Sequence, residues 1–322
     1  GNDMSNFKKL GGPEIPFKGA FNVSGQFIDP APKIYKIPSF KAAVGDNNQS
    51  GWLELDLSAK RPRLKGELSS GKLDLRPLLA EEKVKSAEKA QYNRPVDPKE
   101  KKSKPKTKSS KSGAQNAKVF SAEPLQLEGL QAIDADLKFR NKQVLVPSLA
   151  LDDVILDVLL KDGNLEIKPF NFTIGGGKAD VQFALRSQKT PAMLAATLDI
   201  DQLEIGPMLD QLGYQRSVEG NLDAAFNLDG SGNSVAALMA GLSGNIHTAM
   251  SNGRAASAYL ELLERYLGSG ILRMLNPFQE KREYTPINCF VNQIEIKDGL
   301  ADVKILLDTD RTSIFGAGNV NL

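Results

Sequence analysis

The chain has 322 residues, 41% of them hydrophobic and 7% aromatic, with 41 basic and 39 acidic side chains, one cysteine and one histidine. A single cysteine excludes an intrachain disulfide, and a lone cysteine with a lone histidine excludes a Cys/His zinc site or a Cys–His dyad. No apolar run approaches the roughly 18 residues that a membrane-spanning helix needs.

Taken in chain order, alternating apolar residues predict strands again and again. Phe21, Val23 and Gly25 begin one, Leu53, Leu55 and Leu57 the next, and Leu64, Gly66 and Leu68 a third. After a lysine-rich stretch come Leu125–Leu127, Ile133–Phe139, Val144–Val146 and Leu149–Leu151, the last two split by Pro147. Leu165–Ile167 and Phe170–Ile174 lead into a Gly175-Gly176-Gly177 corner, followed by Val181–Leu185 and Leu194–Ile200. Val218–Leu228, Leu242–Met250, Ile294–Ile296, Val303–Leu307 and the final residues complete the series. Asp-Gly and Asn-Gly turns join several of these as consecutive hairpins, so the fold class is mainly β: a long twisted antiparallel meander with few short helices. Short helices are expected after Leu75 and Ile205 and near Ser234 to Ala240. A longer amphipathic one is expected over 255–267, with Ala256, Tyr259, Leu260, Leu263, Tyr266 and Leu267 on one face.

Two blocks repeat. Leu73-Asp74-Leu75-Arg76-Pro77-Leu78-Leu79 matches Leu203-Glu204-Ile205-Gly206-Pro207-Met208-Leu209, and each follows two alternating runs around a proline-bearing turn. Repetition at a long period marks an array of copies of one unit. The reading divides the chain into a first β-repeat segment at 1–80, a lysine-rich insertion at 81–118, a second β-repeat segment at 119–212 and a C-terminal β segment at 213–322.

Residues 81–118 hold twelve basic and five acidic side chains, while the other 29 basic and 34 acidic residues leave the rest of the chain net negative by five. Prolines and serines interrupt that stretch and apolar residues are few, a composition expected to be disordered. Attachment to anionic lipid or nucleic acid is one reading of the lysines, and a solvated insertion is the favoured one. With Tyr92 as its single aromatic, it lacks the rings that would stack on bases, so a nucleic-acid role is not expected. Cys289 sits between Ile287 and Val291 in an alternating run and reads as a small buried hydrophobe. His247 falls on the polar face of its strand, where a solvent-facing residue is expected. Asp152-Asp153 read as solvated strand residues, and the Gly175–Gly177 run lacks the lysine that a phosphate-binding loop would carry. No catalytic, metal or cofactor residue is nominated, and a non-enzymatic protein is expected.

Every strand has one apolar and one charged face. A sandwich would cover the apolar face with a second sheet, whereas a single long meander curls through its twist into a trough with that face inside. About fifteen strands at 4.8 Å spacing would extend on the order of 70 Å. The residues expected to line the trough are Leu53, Leu55, Leu57, Ile167, Phe172, Ile174, Phe183, Leu185, Leu198, Leu222, Phe226, Ile296, Val303 and Ile305. Tyr259, Leu260, Leu263, Leu267 and Ile271 are expected to act as a lid or membrane contact.

The C-terminal third carries a family likeness. Leu242-Ser243-Gly244, Ser251-Asn252-Gly253, the stretch from Cys289 to Asp298-Gly299, Leu307-Asp308-Thr309 and Phe315-Gly316-Ala317-Gly318-Asn319-Val320-Asn321-Leu322 resemble the C-terminal region of the AsmA family. Phe170-Asn171-Phe172 with Gly175-Gly176-Gly177 resembles that family's upstream repeats; the lysine insertion departs from it. The resemblance implies a periplasmic body in the envelope of Gram-negative bacteria, anchored in the inner membrane by a segment absent from this sequence. It also implies kinship with bridge-like lipid transfer proteins, with phospholipid acyl chains as ligand, no cofactor, and possible envelope protein partners. The alternative is a scaffold for outer-membrane protein assembly that works by strand addition at exposed sheet edges. The start has no signal-peptide pattern and the end is a strand pattern without a closing turn, so the sequence is expected to be part of a longer protein.

Overall fold

Period-two alternation needs a sheet, and the sheet found is a single one of fifteen strands. The structure, a computed structural model, describes residues 20–79, 120–259, 282–310 and 312–322. The first block gives β1 (Phe21–Ala31), β2 (Ile34–Val44), β3 (Asn47–Asp56), β4 (Arg63–Ser70) and the two-residue β5 (Leu73–Asp74). The second gives β6 (Asp134–Val146), β7 (Leu149–Lys161), β8 (Asn164–Ile174), β9 (Gly177–Arg186), β10 (Met193–Glu204), β11 (Val218–Ser231) and β12 (Ser243–Ala256). β13 (Tyr284–Lys297), β14 (Leu300–Thr309) and β15 (Ser313–Asn321) follow. Helices α1 (Ile205–Gln211) and α2 (Val235–Ala240) connect β10 to β11 and β11 to β12.

Strands pair in chain order from β1 to β15, with β5 beside β6 and off the main path. The pairing is antiparallel except at one joint, where β4 and β5 run parallel to β6. The expected meander is thus a mixed sheet, because a parallel neighbour requires the chain to return the length of the strand before re-entering. The ends of the described chain fit that return. Leu75 donates its N–H to Leu145 O (2.8 Å) at the far end of β6. At the opposite end of the strands, Leu125 donates to Asn233 O (2.8 Å) and Ala236 to Ser121 O (2.9 Å). Residues 81–118 lie outside the described residues. The joint is pinned at both ends. Arg61 reaches Asp134 at 3.0 Å and Asp162 at 2.9 Å, and Ser70 Oγ donates to Asn141 Oδ1 at 2.8 Å with both residues buried.

The two repeated blocks adopt the same order: hairpin β3–β4 then a helical turn at 76–79, and hairpin β9–β10 then α1. Pro77 and Pro207 sit in first helical turns, where a missing N–H leaves no intrahelical bond broken. α2 is capped by Ser234 Oγ, which accepts from Ala237 N–H at 3.1 Å. The two helices lie at opposite ends of the strands, α1 against β7 and β11, α2 against β11.

Four expectations need correction. Leu125–Leu127 is not a strand: Pro124 makes one bridge to Ser234, and a 3-10 turn, Glu128–Gln131, follows at once. Val144–Val146 and Ile133–Phe139 are one strand, as are Leu165–Ile167 and Phe170–Ile174; Pro169 is absorbed in a bulge between Ile167 and Phe170. β2 and the second half of β7 were not anticipated. Pro38 interrupts the first at a register shift between Ile37 and Phe40, and a left-handed Asp153 (φ 51°) breaks the alternation of the second. The helix expected over 255–267 starts later. Ala255 and Ala256 still pair with Thr285 and Tyr284 in β12–β13, helical residues occupy 257–259, and the remainder lies outside the described residues.

Candidate functional site

The ladder register shows how the apolar residues assemble. Following Cα partners strand by strand from β4 gives one cross-strand row: Leu68, Phe139, Leu156, Phe170, Val181, Leu198, Phe226, Ile246, Ile294 and Val303. The next row on the same face holds Leu137, Val158, Ile167, Phe183, Ala196, Leu228, Gly244, Ile296 and Ala301. The bulge at Pro169 matters here, because without the extra residue Ile167 and Phe170 would face opposite sides.

The strand residues nominated from the sequence share this face. Leu53 and Leu55 stand opposite Gly66 and Leu64; Phe172 faces Ala179; Leu185 faces Leu194; Leu222 faces Met250; Val303 faces Ile294 and Ile305 faces Asn292. Ile174 closes β8 opposite Gly177, and Leu57 lies just past β3, where its N–H donates to Lys33 O. Ile174 and Ile296 are buried, whereas Leu57 (38%) and Ile305 (37%) are exposed and the rest are half-buried. Of the expected lid, Tyr259 is exposed, and Leu260, Leu263, Leu267 and Ile271 lie outside the described residues.

From β4 to β13 no large apolar residue on this face is exposed, whereas the opposite face exposes Ile155, Leu159, Met193 and Val291. The apolar face is therefore the more enclosed of the two. Among the described residues the strands contact chiefly their ladder neighbours, and the two short helices contact β7 and β11. Buried clusters are small and sit at the two ends of the strands: Leu242, Ile296 and Ala301 near α2, and Ala255 with Ile287 at the other. Bends come from bulges and glycines. Left-handed Asp153, Gln202 and Asn252 lie near the α1 end of β7, β10 and β12. Gly51 and Gly244 adopt φ of 154° and 136°, and a Cβ there would stand 1.9 Å from Glu67 O and 2.0 Å from Asn227 O. Sequence reasoning missed these bend residues as part of the site.

Polar residues interrupt the apolar face at Ser70 with Asn141 and again in β12–β13. Thr248 stands opposite Asn292, whose Oδ1 is enclosed without a partner among the described residues. A cavity of about 830 Å³ opens instead on the opposite face, lined by charged residues such as Asp180, Asp199 and Lys178 together with apolar ones such as Ala225, Ala249 and Val291. Among the described residues no group of three or more His, Cys, Asp or Glu is placed to hold a metal ion. His247 is exposed and Cys289 is half-buried, so the cysteine is less enclosed than expected. Two of the depressed carboxylates lie off the apolar rows, Asp134 at the start of β6 and Asp210 in α1. The backbone N–H of Asp162, then Arg61, hold Asp134 below the usual range, and Arg216 does so for Asp210.

The described residues thus define a mainly β protein built on one long mixed sheet, not closed into a barrel, with one apolar face. The AsmA family profile matches residues 6–306, and the chain belongs to the AsmA family. It is similar to the AsmA family protein YhjG of Escherichia coli (strain K12), 25% identical over 330 residues. That match covers all of this chain and 46% of the relative, so the chain spans about half the length of the curated relative it matches. No solved structure gives a significant match.

Proposed function

We propose that this is a non-enzymatic envelope protein whose apolar β trough holds phospholipid acyl chains. In this reading it conducts them between inner and outer membrane and supports outer-membrane biogenesis. The observation that carries the reading is the apolar row running strand after strand from Leu68 to Val303, with no second sheet over it among the described residues. A half-exposed apolar wall is costly in water, and each methylene laid against it recovers about 0.8 kcal/mol. The charged face keeps the body solvated, and headgroups stay at the rim. Membership in the AsmA family supports an envelope-related role. A periplasmic location, with an inner-membrane anchor outside this sequence, belongs to the same proposal; no described helix is long and apolar enough to cross a membrane.

Native mass spectrometry of gently purified protein tests it. Co-purifying phospholipid, displaced by added phospholipid of a different acyl length, is the expected result. Repeated absence of bound lipid after incubation with saturating phospholipid would overturn the proposal.

A further inference from the structure

Among the described residues, the polar interruptions of the apolar face are of two kinds. Ser70 and Asn141 satisfy one another, the serine Oγ donating to Asn141 Oδ1 at 2.8 Å with both residues buried, so that pair serves the fold. Thr248 of β12 and Asn292 of β13 also stand directly opposite each other. No hydrogen bond joins their side chains to each other or to another described residue, and Asn292 Oδ1 is enclosed. An enclosed acceptor left unpaired is costly, and its presence in a wall of apolar residues asks for a cause.

The register places this pair mid-strand and rings it with hydrocarbon. Ile246 opposite Ile294 lies two residues away on one side, and Met250 opposite Phe290 on the other. Ala224 and Ile305 flank the pair on β11 and β14. Residues two apart on a strand share a face, so the ring and the pair belong to the apolar one. Thr248 and Asn292 are both half-buried, neither sealed in a core nor open to water. Asn292 brings two N–H donors and an acceptor oxygen, and Thr248 a hydroxyl that does either. The χ2 torsion of an asparagine is soft and two-fold, so the amide can present its oxygen or its NH2 to an arriving group.

We propose that Thr248 and Asn292 hold the glycerol backbone of a monoacyl glycerophospholipid, fixing one position along the apolar wall. This rests on the reading of the apolar face as a lipid trough. Hydrogen-bond chemistry selects the lipid class. The backbone of a diacyl lipid carries ester oxygens, which only accept. It pairs with the Asn292 N–H groups and the Thr248 hydroxyl but leaves the Asn292 oxygen without a donor. A monoacyl backbone carries one ester and one free hydroxyl, and the hydroxyl supplies that donor. A site that pairs a ligand hydroxyl rejects the analogue lacking it more strongly than an apolar wall distinguishes one methylene.

Competition binding on the intact chain, freed of bound lipid, tests it with two probes of one chain length and one phosphocholine headgroup. One is a 1-acyl lipid with a free 2-hydroxyl, the other its 2-O-methyl ether, which accepts but cannot donate. Native mass spectrometry reads the bound ratio, with thermal melts run alongside. The wild type is expected to prefer the hydroxyl lipid roughly tenfold. Asn292→Leu, close in size and apolar, is expected to erase that preference while melting no lower than the wild type, because it removes an unpaired polar group. Thr248→Val is expected to weaken the preference. Equal binding of the two lipids by the wild type, or a preference unchanged in both variants, would overturn this inference and leave the trough reading standing. Asn292→Leu melting well below the wild type would overturn it too, because the amide would then serve the fold. Absence of binding by both lipids would overturn the inference and the trough reading together.

Discussion

Phe226→Asp separates a ligand-facing wall from a filled core. Phe226 sits mid-strand between Leu198 of β10 and Ile246 of β12, half-buried on the apolar face. If the space above it is a trough, the carboxylate of the free protein reaches water, and folding loses only part of one ring contact. If the space were a packed interior, the change would cost the 3–5 kcal/mol of a large core deletion, plus the penalty of an unpaired buried charge. Ile174→Asp is the internal standard, because Ile174 is 8% exposed at the end of β8 and its replacement is expected to unfold the chain. Ligand binding moves the other way. Losing contact with two methylenes removes about 1.6 kcal/mol, roughly a fifteen-fold loss in affinity, before the cost of drying the new carboxylate. The assay pairs a thermal melt with native mass spectrometry of co-purified lipid. The expected result for Phe226→Asp is a small fall in melting temperature with loss of bound lipid. Collapse of the fold as severe as for Ile174→Asp, or undiminished lipid in a stable protein, would refute the reasoning.

Gly244→Ala is expected to destabilise by at least about 2–3 kcal/mol, because its φ of 136° and the Asn227 carbonyl leave no place for a methyl; a denaturant melt checks this. Ser70→Ala removes the donor to buried Asn141 Oδ1 and is expected to cost about 1–3 kcal/mol in the same melt. Asp134 has a folded pKa below its unfolded value, so its contribution to stability is complete above the unfolded pKa and is lost as pH falls through the folded one. Asp134→Asn is therefore expected to lower stability near neutrality and to flatten the acid limb of the stability–pH curve, measured by melts across that range.

How much of this was legible in the sequence follows from which signal each feature uses. β9, β10 up to Ile200 and β14 up to Ile305 alternate without a break, so Phe183, Leu198 and Val303 could be assigned to one face before any coordinates. The apolar face is that period-two pattern repeated. The parallel joint was invisible because antiparallel and parallel ladders use the same alternation, and nothing in β4 or β6 encodes the direction of a neighbour. β2 was lost because Pro38 splits it, and the latter half of β7 because Asp153 shifts its phase; in both, tertiary pairing tolerates a bulge that pattern reading takes as an end. Gly51 and Gly244 read as ordinary strand glycines. Their role appears only through the Glu67 and Asn227 carbonyls, which are distant in sequence.

The same bulges explain why, among the described residues, one layer of sheet can persist without a second sheet over its apolar face. A flat sheet would expose both faces alike, and its apolar side would drive aggregation. Here Pro169, Asp153, Gln202 and Asn252 add local twist, while Gly51 and Gly244 let strands close on a neighbour's carbonyl, so large side chains such as Phe170 and Leu198 shelter one another. Shelter is incomplete by construction: those side chains remain half-buried, and curvature alone cannot bring them to the packing of a two-layer core. In the proposed reading, the residual exposure is the free energy available to a ligand. It is spread along the rows rather than gathered at one point, which favours a long flexible apolar chain over a compact molecule. A compact ligand could cover only a few strands of the wall, whereas a row reaching from Leu68 to Val303 offers the same surface at each successive strand.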